Sequence, residues 1–370
     1  MIEDKFLFFD TREASFLAHV LETKQLSGTS DWVTKYENAL AAYFGISYAV
    51  ALSSGSAALH TALYLLDATD GAEVLVPATA PLPSVLPLLT AKARPVFVDT
   101  NPTDFGFDLK DLQRKITAKT KAALIVPIWG YPFSLHETLA MLDIAGIPLI
   151  EDIAQAHGTI IDGRKAGTWG TISCLSTHDR KLLATGEGGA LLTNDEDLYR
   201  RAKQFSQLGF MDGQSYGVNY KLSTLQCALG LSRLPSINVQ IQERRENARL
   251  IVQTLMDHLY MQELPIPEGC EPNYYSLVLY LFAQREQVKR FIRFLEERGI
   301  PSDITRYGYA VAYSRPLFQP FFNGICPHAE ALVQSITTIP VQPEITHQER
   351  DRMIEALREG HPLLSNAISQ

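Results

Sequence analysis

The stretch Pro148-Leu149-Ile150-Glu151-Asp152-Ile153-Ala154-Gln155-Ala156-His157-Gly158 sets the reading of the whole chain. It opens with apolar residues that do not alternate with polar ones, as in a strand covered on both faces, and stops at two adjacent carboxylates and a short polar turn. Runs of the same kind recur at 48–52, 73–76, 95–98, 122–126, 171–175 and 190–193. Segments long enough for crossover helices join them, so a mainly parallel sheet flanked by helices is expected, an α/β domain. Ligands of such sheets sit at the carboxyl ends of the strands, and the search for chemistry belongs there.

Outside the sheet the periodicity is helical. Two amphipathic helices are readable between residues 13 and 45, the second with Trp32, Val33, Tyr36, Ala39, Leu40 and Tyr43 on one face and Gly45 at its end. After the last strand come a helix over 239–259, a strand over 274–282, a helix over 286–298 closed by Gly299, and a final helix over 348–359. These elements predict a smaller α+β C-terminal lobe. The expected division is a large α/β domain with the N-terminal helices over 1–239 and the small domain over 240–370.

Hydrophobic residues make up 46% of the 370 and charged residues 20%, which excludes a disordered chain. Lys plus Arg number 33 against 41 Asp plus Glu, a net charge of -8 with no basic run, so nucleic acid is not an expected partner. Cys174, Cys227, Cys270 and Cys326 are far apart, and Asp152 and His157 have no second His or Cys close by, so no metal site is expected. The opening Met1-Ile2-Glu3-Asp4-Lys5 lacks the basic start of a secretory signal, and a cytoplasmic protein with reduced thiols is the expectation. The uncharged stretch 74–91 carries Pro77, Pro81, Pro83 and Pro87, which argues against a membrane-spanning helix.

Four strand-end segments carry candidate chemistry. Ser53-Ser54-Gly55-Ser56-Ala57-Ala58 leads into a helix and reads either as a phosphate-binding helix N-terminus or as a plain N-cap. Asp152, Gln155 and His157 form a polar cluster or an ordinary turn with an interior histidine. In Ser176-Thr177-His178-Asp179-Arg180-Lys181, followed by Leu182-Leu183-Ala184-Thr185-Gly186-Glu187-Gly188-Gly189, burial and the neighbouring Arg180 would make Lys181 a nucleophile; the alternative is a solvated lysine. In Gly217-Val218-Asn219-Tyr220-Lys221-Leu222, Asn219 can be a helix cap or a ligand-facing residue.

Taken in order and spacing, these motifs resemble the DegT/DnrJ/EryC1/StrS family of sugar aminotransferases, over nearly the whole chain from Gly28 to Ile345-Thr346-His347-Gln348-Glu349-Arg350. The resemblance implies a fold-type I pyridoxal phosphate-dependent transferase, a cofactor-binding large domain, and a homodimer with shared active sites. Lys181 stands where the family's lysine forms the internal Schiff base, and Asp152 where an aspartate pairs with the pyridine nitrogen. Gln155 matches a residue near the cofactor's 3′-oxygen, Gly55, Ser56 and Ser176 match phosphate-binding positions, and Asn219 matches a residue reaching the phosphate of the neighbouring subunit. The implied reaction moves an amino group from glutamate or glutamine to a keto-sugar or keto-cyclitol. His178, Arg306, Tyr307 and Tyr309 are candidates for substrate contacts, with acceptor-facing loops at 207–216 and 303–313.

The chain departs from the family pattern where an aromatic ring usually stacks on the cofactor, having Pro81 there; in Ser176-Thr177-His178, which lacks the usual aromatic; and at the shortened Pro127-Ile128-Trp129-Gly130. Two other functions stay open at this stage. A deoxysugar dehydratase of this family would carry histidine in place of Lys181, and a cofactor-binding regulator would lack turnover.

Overall fold

A computed structural model of the chain describes residues 2, 11–255 and 258–365. All seven expected runs form strands: β1 (Tyr48–Leu52), β2 (Glu73–Pro77), β3 (Arg94–Val98), β4 (Thr120–Ile125), β5 (Leu149–Asp152) and, after a small hairpin of β6 (Ile160–Ile161) and β7 (Arg164–Lys165), β8 (Ile172–Ser176) and β9 (Gly189–Thr193). The seven make one sheet in the order β1-β9-β8-β5-β4-β2-β3. Pairings β2–β3, β2–β4, β4–β5 and β5–β8 are parallel, whereas β9 runs antiparallel to both β8 and β1. The expectation of a mainly parallel α/β sheet holds, with β9 as the exception. Every residue of β5, β8 and β9 is buried, as strands covered on both faces must be.

At the N-terminus α1 (Thr11–Thr23) and α2 (Asp31–Phe44) form, and Gly45 ends α2 with φ 74°. The buried face of α2 is rotated from the apolar stripe read in the sequence: Trp32, Ala39 and Tyr43 are only partly buried, while Glu37 is buried. Glu37 accepts from Ala51 N–H at 2.9 Å and from Lys203 Nζ at 2.8 Å, and that pairing is what admits a carboxylate to the interior. α3 (Gly55–Leu65) follows β1 at once, its N-cap Ser54 accepting from Ala57 N–H at 3.0 Å. α4 (Leu82–Thr90) and β2 share the uncharged 74–91 stretch, and no helix among the described residues is long and apolar enough to cross a membrane.

The helix Ile237–Gln253 carries the chain across residue 240 into a three-stranded antiparallel sheet of β10 (Met261–Glu263), β11 (Leu277–Leu281) and β12 (Ile336–Ile339), in that order. That helix ends at Gln253 with Thr254 as its C-cap, short of the expected residue 259, and residues 256 and 257 lie outside the described residues. The helices Arg285–Glu297 and His347–Gly360 appear within two residues of their expected ends. β10 and β12 were not read from the sequence. All four cysteines are buried and unpaired.

Candidate active site

β1, β2, β4, β5 and β8 point the same way, so their carboxyl ends open on one edge of the sheet. A cavity of about 540 Å³ lies there, bounded by Ser54, Gly55 and Ser56 beyond β1, Pro81 beyond β2, Trp129 beyond β4, Asp152 and Gln155 from β5 and its turn, and Ser176 from β8. The first N–H groups of a helix lack partners within it, and the first turn of α3 forms part of the wall, so the positive end of its dipole faces the cavity. A Cβ on Gly55 would stand 2.8 Å from the Ser176 Cβ, so only glycine lets this turn approach the end of β8.

Lys181 rides the loop of the β8–β9 hairpin. Thr177 N–H donates to Gly188 O at 2.8 Å and Asp179 N–H to Gly186 O at 2.9 Å, and the hydroxyls of Thr177 and Thr185 lie 2.6 Å apart. Burial pulls the Lys181 ammonium below the usual lysine range, and the carboxylates of Asp152 and Asp303 push it back. The lowering expected from Arg180 is not its source; the charges acting on the amine are the two carboxylates.

Successive side chains of a strand point to opposite sides, and the two acids ending β5 take different work. Glu151 accepts from the N–H groups of Gly167, Trp169 and Gly170 at 2.7, 2.8 and 2.7 Å and from Ser173 Oγ at 3.0 Å, tying down the turn before β8. Asp152 faces the cavity, accepting from Ser84 Oγ at 2.5 Å and Ala154 N–H at 3.0 Å. Burial pushes its carboxyl above the ordinary range, while Ser84, Ala154 and the Lys181 charge draw it down. Trp129 N–H donates to Gln155 Oε1 at 2.6 Å. A backbone N–H only donates, so the Gln155 oxygen faces it and the NH2 group points elsewhere. Asn273 Nδ2 donates to Gln155 O and His157 O, both at 3.0 Å, and so holds the turn from the segment between β10 and β11.

Of the tentative substrate residues, His178, Tyr307 and Tyr309 line the cavity. Tyr309 donates to Thr79 O at 2.5 Å and packs edge-on against Trp129, ring centres 4.8 Å apart. Arg306 is not part of the wall; its guanidinium lies 3.9 Å from Asp303 Oδ1. Asn219 is exposed, accepts from Lys221 Nζ at 2.6 Å, and stays outside the cavity of its own chain, as does the loop 207–216. Pro81 caps α4 and, with Leu82, Pro83 and Leu86, gives the cavity an apolar side where an aromatic ring was missing from the pattern. Sequence reading did not single out Ser84, Asn273, Tyr275, Asp303 or Arg315. Asp303 Oδ2 accepts from Trp129 Nε1 and Ser276 Oγ, both at 3.0 Å, and Arg315 lines the wall with its guanidinium donating to Gly308 O.

His157 is buried at 1% exposure and its Nε2 has no hydrogen-bond partner among the described residues. Burial, reinforced by the Lys181 charge, pulls its pKa down to about 3. The unfolded chain, with an ordinary histidine pKa near 6.5, then binds more protons than the folded one between these values. Its contribution is therefore present above pH ~6.5 and lost as pH falls toward the folded pKa, at up to about 1.4 kcal/mol per pH unit. Urea unfolding across this range should show a flatter pH dependence for His157→Gln than for the native protein; parallel curves would contradict the assignment.

The wall thus offers a helix end for an anion, a buried carboxylate, and an amine whose pKa burial lowers, a set suited to carbonyl chemistry on a phosphorylated cofactor. Comparison with known proteins agrees with it. The chain is 30% identical to the GDP-perosamine synthase of Caulobacter vibrioides over 94% of its length and 95% of that protein's. It is also 30% identical to the L-glutamine:2-deoxy-scyllo-inosose aminotransferase of Streptomyces paromomycinus, over 67% of this chain and 62% of the other. Among solved structures, the sugar aminotransferase CalS13 from Micromonospora echinospora superposes with a TM-score of 0.88 at 26% identity, covering 97% of this chain and 100% of that one. The model of the DegT/DnrJ/EryC1/StrS aminotransferase family matches residues 9–358, and with the cavity and fold described above this chain belongs to that family of pyridoxal phosphate-dependent sugar aminotransferases.

Proposed function

We propose that the protein transfers an amino group from glutamate or glutamine to a keto-sugar or keto-cyclitol, with Lys181 and Asp152 as its catalytic residues. The observation that carries this reading is the convergence of Lys181, Asp152 and the first turn of α3 on one cavity. These residues fit pyridoxal phosphate: Gly55, Ser56 and Ser176 form a close-packed anion cradle, Asp152 is a carboxylate buried enough to hold a proton on a pyridine nitrogen, and Lys181 supplies the amine. When bound, the cofactor supplies a conjugated ring that accepts the electron pair left at the substrate carbon. Lys181 would take the proton from that carbon and return it, a role that the lowering of its pKa by burial favours. Gln155, with its oxygen tied to Trp129 N–H, would have its NH2 donors to offer the cofactor's 3′-oxygen. His178, Tyr307 and Tyr309 contact the acceptor from the wall.

The relatives' names cover both a nucleotide-sugar and a cyclitol enzyme, and the cavity is large enough for either ring beside the cofactor. The deciding experiment loads the protein with pyridoxal phosphate, adds glutamate or glutamine, and follows the cofactor's visible absorption and release of the keto acid. The aminated protein is then offered keto-sugars and keto-cyclitols. Conversion by a donor followed by amination of one acceptor class is expected. A chain that binds the cofactor but is converted by neither donor is a regulator and not an aminotransferase.

A homodimer with shared sites completes the proposal. Asn219 lies outside the cavity of its own chain, on a segment beside the exposed Phe210 and Met211. In an isologous dimer each chain then gives one Asn219 and receives one. Mixing Lys181→Ala with Asn219→Asp subunits should restore up to half the native activity per mixed dimer, because one site carries both lesions and the other neither. No recovery after subunit exchange would place Asn219 in its own chain's function.

A further inference from the structure

Asp152 ends β5 as a buried carboxylate, and burial by itself makes a carboxyl group more basic. For a partner of a pyridine nitrogen that is a hazard. A carboxylate and a ring nitrogen in contact share one proton, which rests on the more basic of the two. Were Asp152 the more basic, the proton would cross to the carboxyl and leave a neutral ring, a weaker acceptor of the electron pair from the substrate carbon.

Two donors act against that transfer. Ser84 Oγ donates to Asp152 Oδ2 at 2.5 Å and Ala154 N–H to Oδ1 at 3.0 Å, and a donor to the ionised form makes a carboxylate less basic. The first has the length of a strong hydroxyl-to-carboxylate bond, roughly 2.5–2.7 Å. Ser84 is 1% exposed and stands in the first turn of α4, its N–H on Pro81 O at 2.9 Å and Pro83 just before it. Proline fixes φ, so the hydroxyl is aimed by a stiff turn. The other groups near Asp152 cannot do this work. Glu151 leaves the strand on the other side with four donors of its own, and Cys174, opposite Asp152 on β8, is a weak donor whose thiol is held neutral by burial and the two carboxylates. The Lys181 charge also draws on Asp152, but it is lost whenever that amine acts as a nucleophile or base. The Ser84 hydroxyl stays.

We infer that Ser84 is a positioning residue of this reaction: through its hydrogen bond to Asp152 it keeps the shared proton on the cofactor's ring nitrogen, an inference that rests on the aminotransferase reading above. The test loads the protein with pyridoxal phosphate labelled with nitrogen-15 in the ring and reads that nitrogen by NMR. Free cofactor at acid and at alkaline pH supplies the signals of the protonated and the bare nitrogen. The native protein should give the protonated signal. In Ser84→Ala the signal should move toward that of the bare nitrogen, and kcat should fall about tenfold or more while the KM for the amino donor stays within about twofold. If Ser84→Ala does not fold, Ser84→Cys, close in size but a weaker donor, carries the same expectation. An unmoved nitrogen signal in the folded variant overturns the inference even if kcat falls, since a packing defect would do as much. So does a bare nitrogen in the native protein. The aminotransferase reading fails separately, if neither glutamate nor glutamine converts the native cofactor.

Discussion

Lys181→Ala should fold, bind pyridoxal phosphate without a covalent link, and lose transamination by on the order of 10⁴-fold or more. The size of the loss follows from two tasks resting on one amine: carrying the cofactor, and moving a proton at the substrate carbon. His157 cannot substitute, since its pKa is pulled down to about 3 and it is not on the cavity wall. Folding should survive because the hairpin loop is closed by backbone bonds, Thr177 to Gly188 and Asp179 to Gly186, and none of them uses the lysine side chain. Borohydride reduction and peptide mapping of the native protein should place the cofactor on the peptide containing Lys181. A tag on another lysine, or a Lys181→Ala protein that still releases keto acid at the native rate, would remove the basis of the reading.

Asp152→Asn should keep the cofactor and lose turnover, by roughly 10²-fold or more, with the loss in kcat. Asparagine is close to isosteric and can preserve one contact with Ser84 and one with Ala154, while the α3 end and Lys181 still hold the cofactor. What disappears is the negative charge. Removing one partner of a buried charge pair costs about 3–5 kcal/mol, and here the pair is needed most when electron density reaches the ring. Steady-state kinetics beside a titration of cofactor binding separates the two effects; native kcat in Asp152→Asn would mean that another group protonates the ring.

Much of this was legible because parallel strands write themselves as unbroken apolar runs, and their ends name where ligands go. That placed β1 to β5, β8 and β9 within two residues, and put Asp152, Gln155, Ser176 and Lys181 around one cavity. The reversed direction of β9 was not legible, because a fully buried antiparallel strand shows the same run of apolar residues as a parallel one. Ser84 donates to Asp152 across 68 residues of sequence, and no local pattern marks a serine inside a proline-rich helix as a partner. Asp303 and Asn273 reach the site from far along the chain and were missed for the same reason: their roles exist only once the fold brings them beside Trp129 and Gln155. Glu37 was missed because its partner Lys203 lies on a distant helix, so helical periodicity placed the buried stripe to one side of it.

The position of β9 also bears on how the chain reaches this state during synthesis. β1 emerges early, yet its ladder among the described residues is with β9, residue Tyr48 opposite Thr193 and Leu52 opposite Gly189. At about 5–20 residues per second, the ribosome leaves this strand without its pairing edge for several seconds, together with the helix start that follows it. The strands in between can assemble among themselves in that interval, since β2, β3, β4 and β5 form ladders with one another. The anion-cradling turn at Ser54–Ser56 is therefore completed only after the hairpin bearing Lys181 closes against β1. A nascent chain halted before residue 189 would hold Asp152, Lys181 and most of the sheet but not the closed hairpin that brings them to the turn after β1, and its unpaired strand at 48–52 is where a holdase chaperone would bind.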